Sequence, residues 1–319
     1  MERQELCFPQ LGNLSCRKPE SGWSHGVFWT LVLYSVCTLT VVLNLLVITS
    51  IGHFRRLRSP TNLLLLSLAV SDLLVGLLVW PGEIYLEKSC WALGDVLCSL
   101  YNLVSFTVTS ASVGHVVLVS AERYVAICRP LRYNLTVTVK RIQLCVCVCW
   151  FCSLLVSGVL MREDLAHPGQ HASCLGQCLI HLDYEAGIFD LLVTFVLPLS
   201  TIVLLYSRVF AAALSQARFA ARSRVACGKA RPSGAKKSEL KAARTLGVLV
   251  LVFLMCFCPY YCVLLAADSL PTFVLNAYYL NSCVNPLIYA WFYPWFRAAV
   301  KHLLTLRVLH PGSRGGHAA

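Results

Sequence analysis

Seven apolar runs lie along this chain, at 26–51, 62–86, 95–127, 141–161, 186–212, 242–267 and 271–292. Each is near or above the roughly 20 residues that a helix needs to cross a bilayer. Backbone polar groups in hydrocarbon have to be paired within their own segment, so runs of this length are read as helices. The expected fold is an all-α integral membrane protein, a bundle of seven helices. Only 13% of the residues are charged, about half the share in a soluble protein. A single membrane domain, 26–292, is expected between a polar N-terminal segment, 1–25, and a tail, 293–319, that opens with a short amphipathic eighth helix. No internal repeat is visible. The first 25 residues lack the apolar core of a secretory signal, so the first helix is expected to act as the targeting signal.

Charge sets the expected orientation. With the N terminus outside, five Lys and Arg lie outside (Arg3, Arg17, Lys18, Lys88 and Arg162) and the other 22 of 27 lie inside, as the positive-inside rule requires. The net charge of +12 is thus accounted for by anionic inner-leaflet lipids and cytosolic partners, with no nucleic acid implied. Twelve of the 15 acidic residues fall in outer loops or outer helix halves, Glu83 and Asp190 among them, where they concentrate cations or simply mirror the topology.

The 17 cysteines divide by compartment. Cys7, Cys16, Cys90, Cys98, Cys174 and Cys178 face an oxidising exterior and allow 15 full pairings. His167, His171, Cys174, Cys178 and His181 offer a rival reading as a transition-metal site. Cys145, Cys147, Cys149 and Cys152 sit in an apolar helix without a histidine nearby and read as packing residues. No cysteine follows Cys283 to take a palmitoyl chain. Asn13-Leu14-Ser15 is an outward glycosylation sequon, whereas Asn134-Leu135-Thr136 lies inside and is expected to stay bare. Gly228–Ser238 reads as a solvated basic loop and does not match a phosphate-binding spacing. No zinc-protease helix, nucleophile elbow or dinucleotide fingerprint is present, so nothing points to an enzyme.

Polar and kinking residues recur once per helix: Asn44, Leu68-Ala-x-Ser-Asp72, Glu122-Arg123-Tyr124, Trp150, Pro198, Cys256-Phe257-Cys258-Pro259 and Asn285-Pro286-x-x-Tyr289. An intramembrane charge is costly and needs a partner, and a proline removes a backbone donor and kinks its helix. In this order the motifs resemble rhodopsin-like (class A) G-protein-coupled receptors. Leu6-Cys7-Phe8-Pro9-Gln10-Leu11, Ser89-Cys90-Trp91, Asn281-Ser282 and Tyr293-x-Trp295-Phe296 resemble the trace amine-associated receptors within that class.

The resemblance implies roles for particular residues. Asp72 with Ser112, Asn281, Ser282 and Asn285 resembles a pocket for Na+ as an allosteric ion, with no other cofactor. Arg123 is expected to pair with Glu122 and, across the bundle, with Glu239. Breaking that contact would let Tyr206 and Tyr289 turn toward it. Phe253 and Phe257, beside the kink at Pro259, would couple ligand contact to the sixth helix, with Pro286 kinking the seventh. Phe257 replaces the family's usual tryptophan. Cys98 is expected to pair with Cys178, and Cys16 with Cys174. The implied partners are a small amine, a heterotrimeric G protein of the stimulatory type that raises cyclic AMP, arrestin, receptor kinases and membrane lipids. The implied place is the plasma membrane of a sensory neuron.

The ligand turns on one exchange. Most amine receptors of the class carry an aspartate seven residues after the third-helix disulfide cysteine; here Cys98 leads to Ser105. Asp190 instead lies eight residues before Pro198, about two turns toward the outside, and no Lys or Arg sits deep in a run to neutralise it. A subset of fish relatives has this arrangement, which implies an olfactory amine receptor with its ligand turned around. Tyr260, Tyr261 and Tyr279 are expected to enclose the ammonium through cation–π contact, with Phe106, Phe189 and Phe257 close by and Ser105 and Thr109 as neutral floor contacts. His115 lies deeper. Two other readings compete: a class A receptor for a non-amine ligand with Asp190 structural, and, more remotely, a transporter, which would usually show repeats.

Overall fold

The computed structural model describes residues 5–18, 23–180, 182–227, 234–266 and 271–305; the side chains of 23–25, 213, 216–227, 234–246, 249 and 304 lie outside that description. Seven long helices follow one another: α1 (Trp23–His53), α2 (Pro60–Lys88), α3 (Asp95–Cys128), α4 (Val139–Leu160), α5 (184–227), α6 (Gly234–Ala266) and α7 (Thr272–Phe292). A shorter α8 (Pro294–Leu304) completes the series. Among the described residues five helices are long and apolar enough to cross a membrane, and α6 adds the apolar stretch Val250–Ala266. The helix α7 joins the bundle through inward polar groups, with the Asn44 amide of α1 donating to its Ser282 carbonyl at 3.1 Å.

Local signals set the helix ends. Ser59 caps α2 by accepting from the Asn62 amide, with Pro60 at the first helical position. Thr138 caps α4, and Asp183 caps α5. The Arg297 guanidinium donates to the Ala290 and Trp291 carbonyls and so satisfies the orphan acceptors at the end of α7. A single π turn precedes each of two prolines: Val75–Val79 before Pro81, and Leu191–Val196 before Pro198. Proline lacks a donor and clashes with the carbonyl four residues back, and the widened turn absorbs both defects without ending the helix.

Two helices outrun their apolar patterns. The helix α5 runs on to Cys227, and α6 begins at Gly234, inside the stretch expected to be loop. Ala, Lys, Arg, Glu and Leu dominate both extensions, and their helix propensity carries the backbone past the bilayer edge.

Packing, more than water exclusion, holds such a bundle together, because lipid tails are as apolar as leucine. The helix α4 shows it directly. Leu144, Phe151, Leu154 and Val159 are exposed, whereas Ser153 and Ser157 are buried. A Cβ at Gly114 of α3 would lie 2.5 Å from the Cys149 sulfur, so glycine allows the two helices to close. Cys145, Cys147 and Cys152 are exposed on α4, and no metal-holding group of His, Cys, Asp or Glu occurs among the described residues.

At one end of the bundle, disulfides Cys7–Cys90, Cys16–Cys174 and Cys98–Cys178 pin the N-terminal segment and the α4–α5 connection. They close sequence separations of 83, 158 and 80 residues, each a stabilisation of about 4.5–5 kcal/mol in chain-entropy terms. The resemblance fixed two of these pairs and left Cys7 and Cys90 open. With their sulfurs bonded, Cys174 and Cys178 have no thiolate for the rival metal reading; His181 lies outside the described residues. Backbone bonds from Cys16 to Leu175 and from Leu175 to Leu14 stitch the segment down. Gly176, at φ +102, supplies the left-handed turn there, and Lys18 pairs with Glu5 at 2.7 Å. That ammonium, by hydrogen bond and then by charge, holds the Glu5 carboxyl below its usual range. Asn13 is exposed beside these contacts.

Candidate functional site

Below the disulfide-bonded end, Asp190 is buried on α5, just before the π turn. The Thr194 hydroxyl lies 2.6 Å from the Asp190 carbonyl, 3.1 Å from its carboxylate and 2.7 Å from the Tyr261 hydroxyl. One hydroxyl proton is therefore divided between the carbonyl and the carboxylate of Asp190, and the Tyr261 hydroxyl either donates to Thr194 or accepts from it. No ion pair among the described residues includes Asp190.

From that carboxylate a row of rings crosses the bundle. Tyr261 stacks on Phe195 at 4.4 Å and meets Tyr260 edge-on at 5.0 Å. Tyr260 packs on Tyr278 at 4.7 Å, Tyr278 on Tyr279 at 5.4 Å, and Tyr279 on Trp80 at 6.2 Å. The Trp80 indole donates to Asn276 at 2.7 Å. Tyr260, Tyr261 and Tyr279 thus share one wall, but its centre is Tyr278. Nothing in the sequence distinguishes Tyr278 from Tyr279, because two adjacent tyrosines on α7 cannot be ranked until the helix is turned against α6.

Tyr278 also touches Phe257 at 4.5 Å, and Phe257 stacks on Phe253 at 4.3 Å. Both phenylalanines are buried on α6, on either side of the turn leading to Pro259. The ring row therefore continues into the middle of the bundle. Ser105 and Thr109 hydroxyls donate to carbonyls one turn back on α3, which leaves them as neutral surface. Phe106 is half-buried and joins none of these ring contacts. Phe189 is exposed and lines an outer groove with Val159 and Ala186 instead of the aromatic row; a one-residue step along a helix turns a side chain by about 100°.

Deeper, Asp72 on α2 is fully buried. The Ser112 hydroxyl donates to its Oδ1 at 3.1 Å, and the Asn285 amide to its Oδ2 at 2.8 Å. Ser282 also faces it, and Asn281 is buried one turn away on α7. The Asn285 Oδ1 is buried without a partner. A carboxylate, hydroxyls and an unsatisfied amide oxygen are hard donors that fit an alkali cation.

His115 takes no part in the row of rings. Its Nε2 lies 2.6 Å from the Ser67 hydroxyl, and Ser67 accepts from the Trp150 indole at 3.1 Å. With Nδ1 donating to the Ala111 carbonyl, a neutral imidazole satisfies the whole chain. This set ties α2, α3 and α4 together.

At the basic end, Glu122 is buried and collects donors. Arg123 donates to both its oxygens, and Thr61 and Tyr133 hydroxyls donate to Oε1. Arg123 also donates to Thr61. Burial, then the hydrogen bond to Glu122, pushes the Tyr133 phenol above its usual range. Thr61 and Tyr133 were not expected from the motif; only the folded α2 and α3–α4 connection bring them in. Tyr124 is half-buried and takes no part in these bonds. The hydroxyls of Tyr206 and Tyr289 are buried and without partners among the described residues. Pro286 is buried in α7 one turn before Tyr289. The expected partner Glu239 lies on α6 with its side chain outside the described residues.

Residues 43–289 match the family described as 7 transmembrane receptor (rhodopsin family). The chain is 34% identical to trace amine-associated receptor 13c of Danio rerio, over 97% of this chain and 94% of that protein. It is 36% identical to trace amine-associated receptor 1 of Mus musculus, over 94% and 96% of the two chains. Against trace amine-associated receptor 7e of Rattus norvegicus the identity is 34%, over 97% and 90%.

Proposed function

We propose, from the premise that this chain belongs to the trace amine-associated family of rhodopsin-like G-protein-coupled receptors, that its ligand is a small alkyl or aryl amine held as the cation by Asp190. Membership itself makes the chain a multi-pass plasma-membrane receptor with a small-molecule ligand and a G-protein partner, and not an enzyme. The carbon skeleton lies against Tyr260, Tyr261, Tyr278 and Tyr279. The observation that carries the reading is Asp190 itself: a buried carboxylate at the end of an aromatic row, with one shared hydroxyl for a donor and no cation paired to it among the described residues. Lone ionisable groups inside a membrane protein are usually functional.

Ligand contact passes from Tyr278 to Phe257 and Phe253 and so to α6. Its movement releases Arg123 from Glu122, and Tyr206 and Tyr289 turn to it. Na+ held by Asp72 and Ser112 would supply a positive charge that favours the resting arrangement. The N terminus and the disulfides lie outside, Asn13 carries a glycan, and the basic end meets a stimulatory G protein that raises cyclic AMP in a sensory neuron. Arrestin and receptor kinases act at the same face.

The test is a panel of volatile amines on wild type and Asp190→Asn, read by cyclic AMP with surface expression measured in parallel. Loss of amine responses at normal expression is expected. The Thr194 bond favours one alternative, a receptor for a non-amine ligand with Asp190 structural; it expects Asp190→Asn to respond as wild type does.

A further inference from the structure

We propose that Glu83 is a second ligand carboxylate at the far end of the same aromatic row, so that the amine this receptor takes best carries two ammonium groups joined by a carbon chain. The proposal rests on the amine reading above and names the class of amine.

Trp80 closes the row that starts at Asp190. Glu83 lies three residues further along α2, on the same helix face. It is half-buried, and its one hydrogen-bond partner among the described residues is the Tyr101 hydroxyl at 3.0 Å. That hydroxyl also lies 2.9 Å from the Val79 carbonyl, so its single proton is divided. Asp190 is served in the same way by the divided proton of Thr194. An ionised carboxylate has about four acceptor sites, and both groups fall well short of that. Neither belongs to an ion pair among the described residues; Lys88, the nearest cation along α2, pairs with Glu87. An ammonium brings three donors and a charge, which is what each end lacks.

The backbone is shaped for this contact. A Cβ on Gly82 would lie 2.5 Å from the Tyr101 hydroxyl oxygen, so the bare glycine is what lets that ring close on α2 beside Glu83. A purely structural Glu83, tethering Tyr101, would need only an acceptor. Glutamine supplies one without the charge, and that separates the two roles.

The experiment uses the full-length receptor at the cell surface. Dose–responses are measured for α,ω-diamines from propane to dodecane and for the monoamines of equal length. Wild type is expected to peak at one diamine length, about tenfold or more above the matching monoamine. Glu83→Gln should remove that excess and the length peak while monoamine potency stays. Glu83→Asp, with its carboxylate drawn back, should move the peak to a longer diamine. Equal wild-type potency for monoamine and diamine overturns the proposal, whether or not the variants reach the surface. So does a diamine peak retained in Glu83→Gln. Asp190→Asn separates the two readings. Loss of monoamines and diamines alike in Asp190→Asn, with Glu83→Gln unchanged, overturns the role of Glu83 alone. Normal responses in Asp190→Asn overturn the amine reading beneath it.

Discussion

The Asn285 amide donates to Asp72 at 2.8 Å, joining α7 to α2 across 213 residues of sequence. This bond ties the kinked α7 to α2, and the Ser112 hydroxyl ties α3 to the same carboxylate. A hydrogen bond to a charged group contributes about 1.5–3 kcal/mol. Asn285→Ala should therefore lower the thermal midpoint of the detergent-solubilised receptor by several degrees. The exchange Asp72→Asn with Asn285→Asp keeps one carboxylate and one amide in contact and should recover part of the loss. A double exchange no better than the worse single variant would show that the pair is not the tie.

The same carboxylate gives a salt-dependent expectation. If Na+ sits between Asp72, Ser112 and the unpaired Asn285 oxygen, sodium chloride should raise the thermal midpoint above that in choline chloride. Asp72→Asn should abolish the difference, because linked binding stabilises only the state that binds. A wild-type midpoint indifferent to the cation would remove the ion from this site.

Glu122 receives Arg123, Thr61 and Tyr133 together. Charge-assisted and bidentate bonds of this kind are the strong ones. Glu122→Gln keeps the shape and removes the charge, and should raise ligand-free signalling. A loss of about 1.4 kcal/mol from the closed arrangement multiplies the open population about tenfold. Tyr133→Phe removes one neutral donor and should raise it by a smaller factor. Both are read as basal second-messenger output normalised to surface expression, and unchanged output in Glu122→Gln would contradict the locking role.

Much of this was legible in residue order. Seven apolar runs gave the bundle, and the spacing from Cys98 to Ser105 drew attention to the lone Asp190, which lies beside the ring row through Thr194 and Tyr261. The sequence could not rank Tyr278 above Tyr279, since that depends on how α7 is rotated against α6. Glu83 was hidden for a related reason. Along the chain it is one of many outer carboxylates; only the approach of Tyr101 over Gly82 singles it out. Cys7 and Cys90 were the two outer cysteines that the resemblance left unassigned, and the folded N-terminal segment brings them together.

His115, Ser67 and Trp150 form a chain in which every side-chain polar atom is partnered, the Ser67 hydroxyl twice. Leucine at 115 would leave the Ser67 hydroxyl without its acceptor and open space on α3. The cost of an unsatisfied buried group is about 1–3 kcal/mol. His115→Leu should lower surface expression and thermal stability while amine potency in the surviving receptor stays within about twofold, since none of the three lines the ring row. A selective loss of potency at normal stability would place His115 in the ligand path after all.

Phe257 stands where relatives of the class usually carry tryptophan, and its ring is confined by Phe253 at 4.3 Å on one side and Tyr278 at 4.5 Å on the other. It is also almost fully buried. An indole is larger than a phenyl ring, and inserting extra atoms into a filled site costs about 1–3 kcal/mol in displaced neighbours. Tyr278 is the neighbour that belongs to the ring row. Phe257→Trp should therefore push Tyr278 toward the row of rings and shorten the space for the carbon skeleton. The expected result is graded: aryl and long alkyl amines lose about tenfold or more in potency, whereas short alkyl amines keep theirs. Dose–response curves across a series of increasing amine size provide the measurement. A uniform loss across the series would mean that the ring acts on the switch in α6 alone, and a gain for large amines would mean that Tyr278 moves away from the ligand.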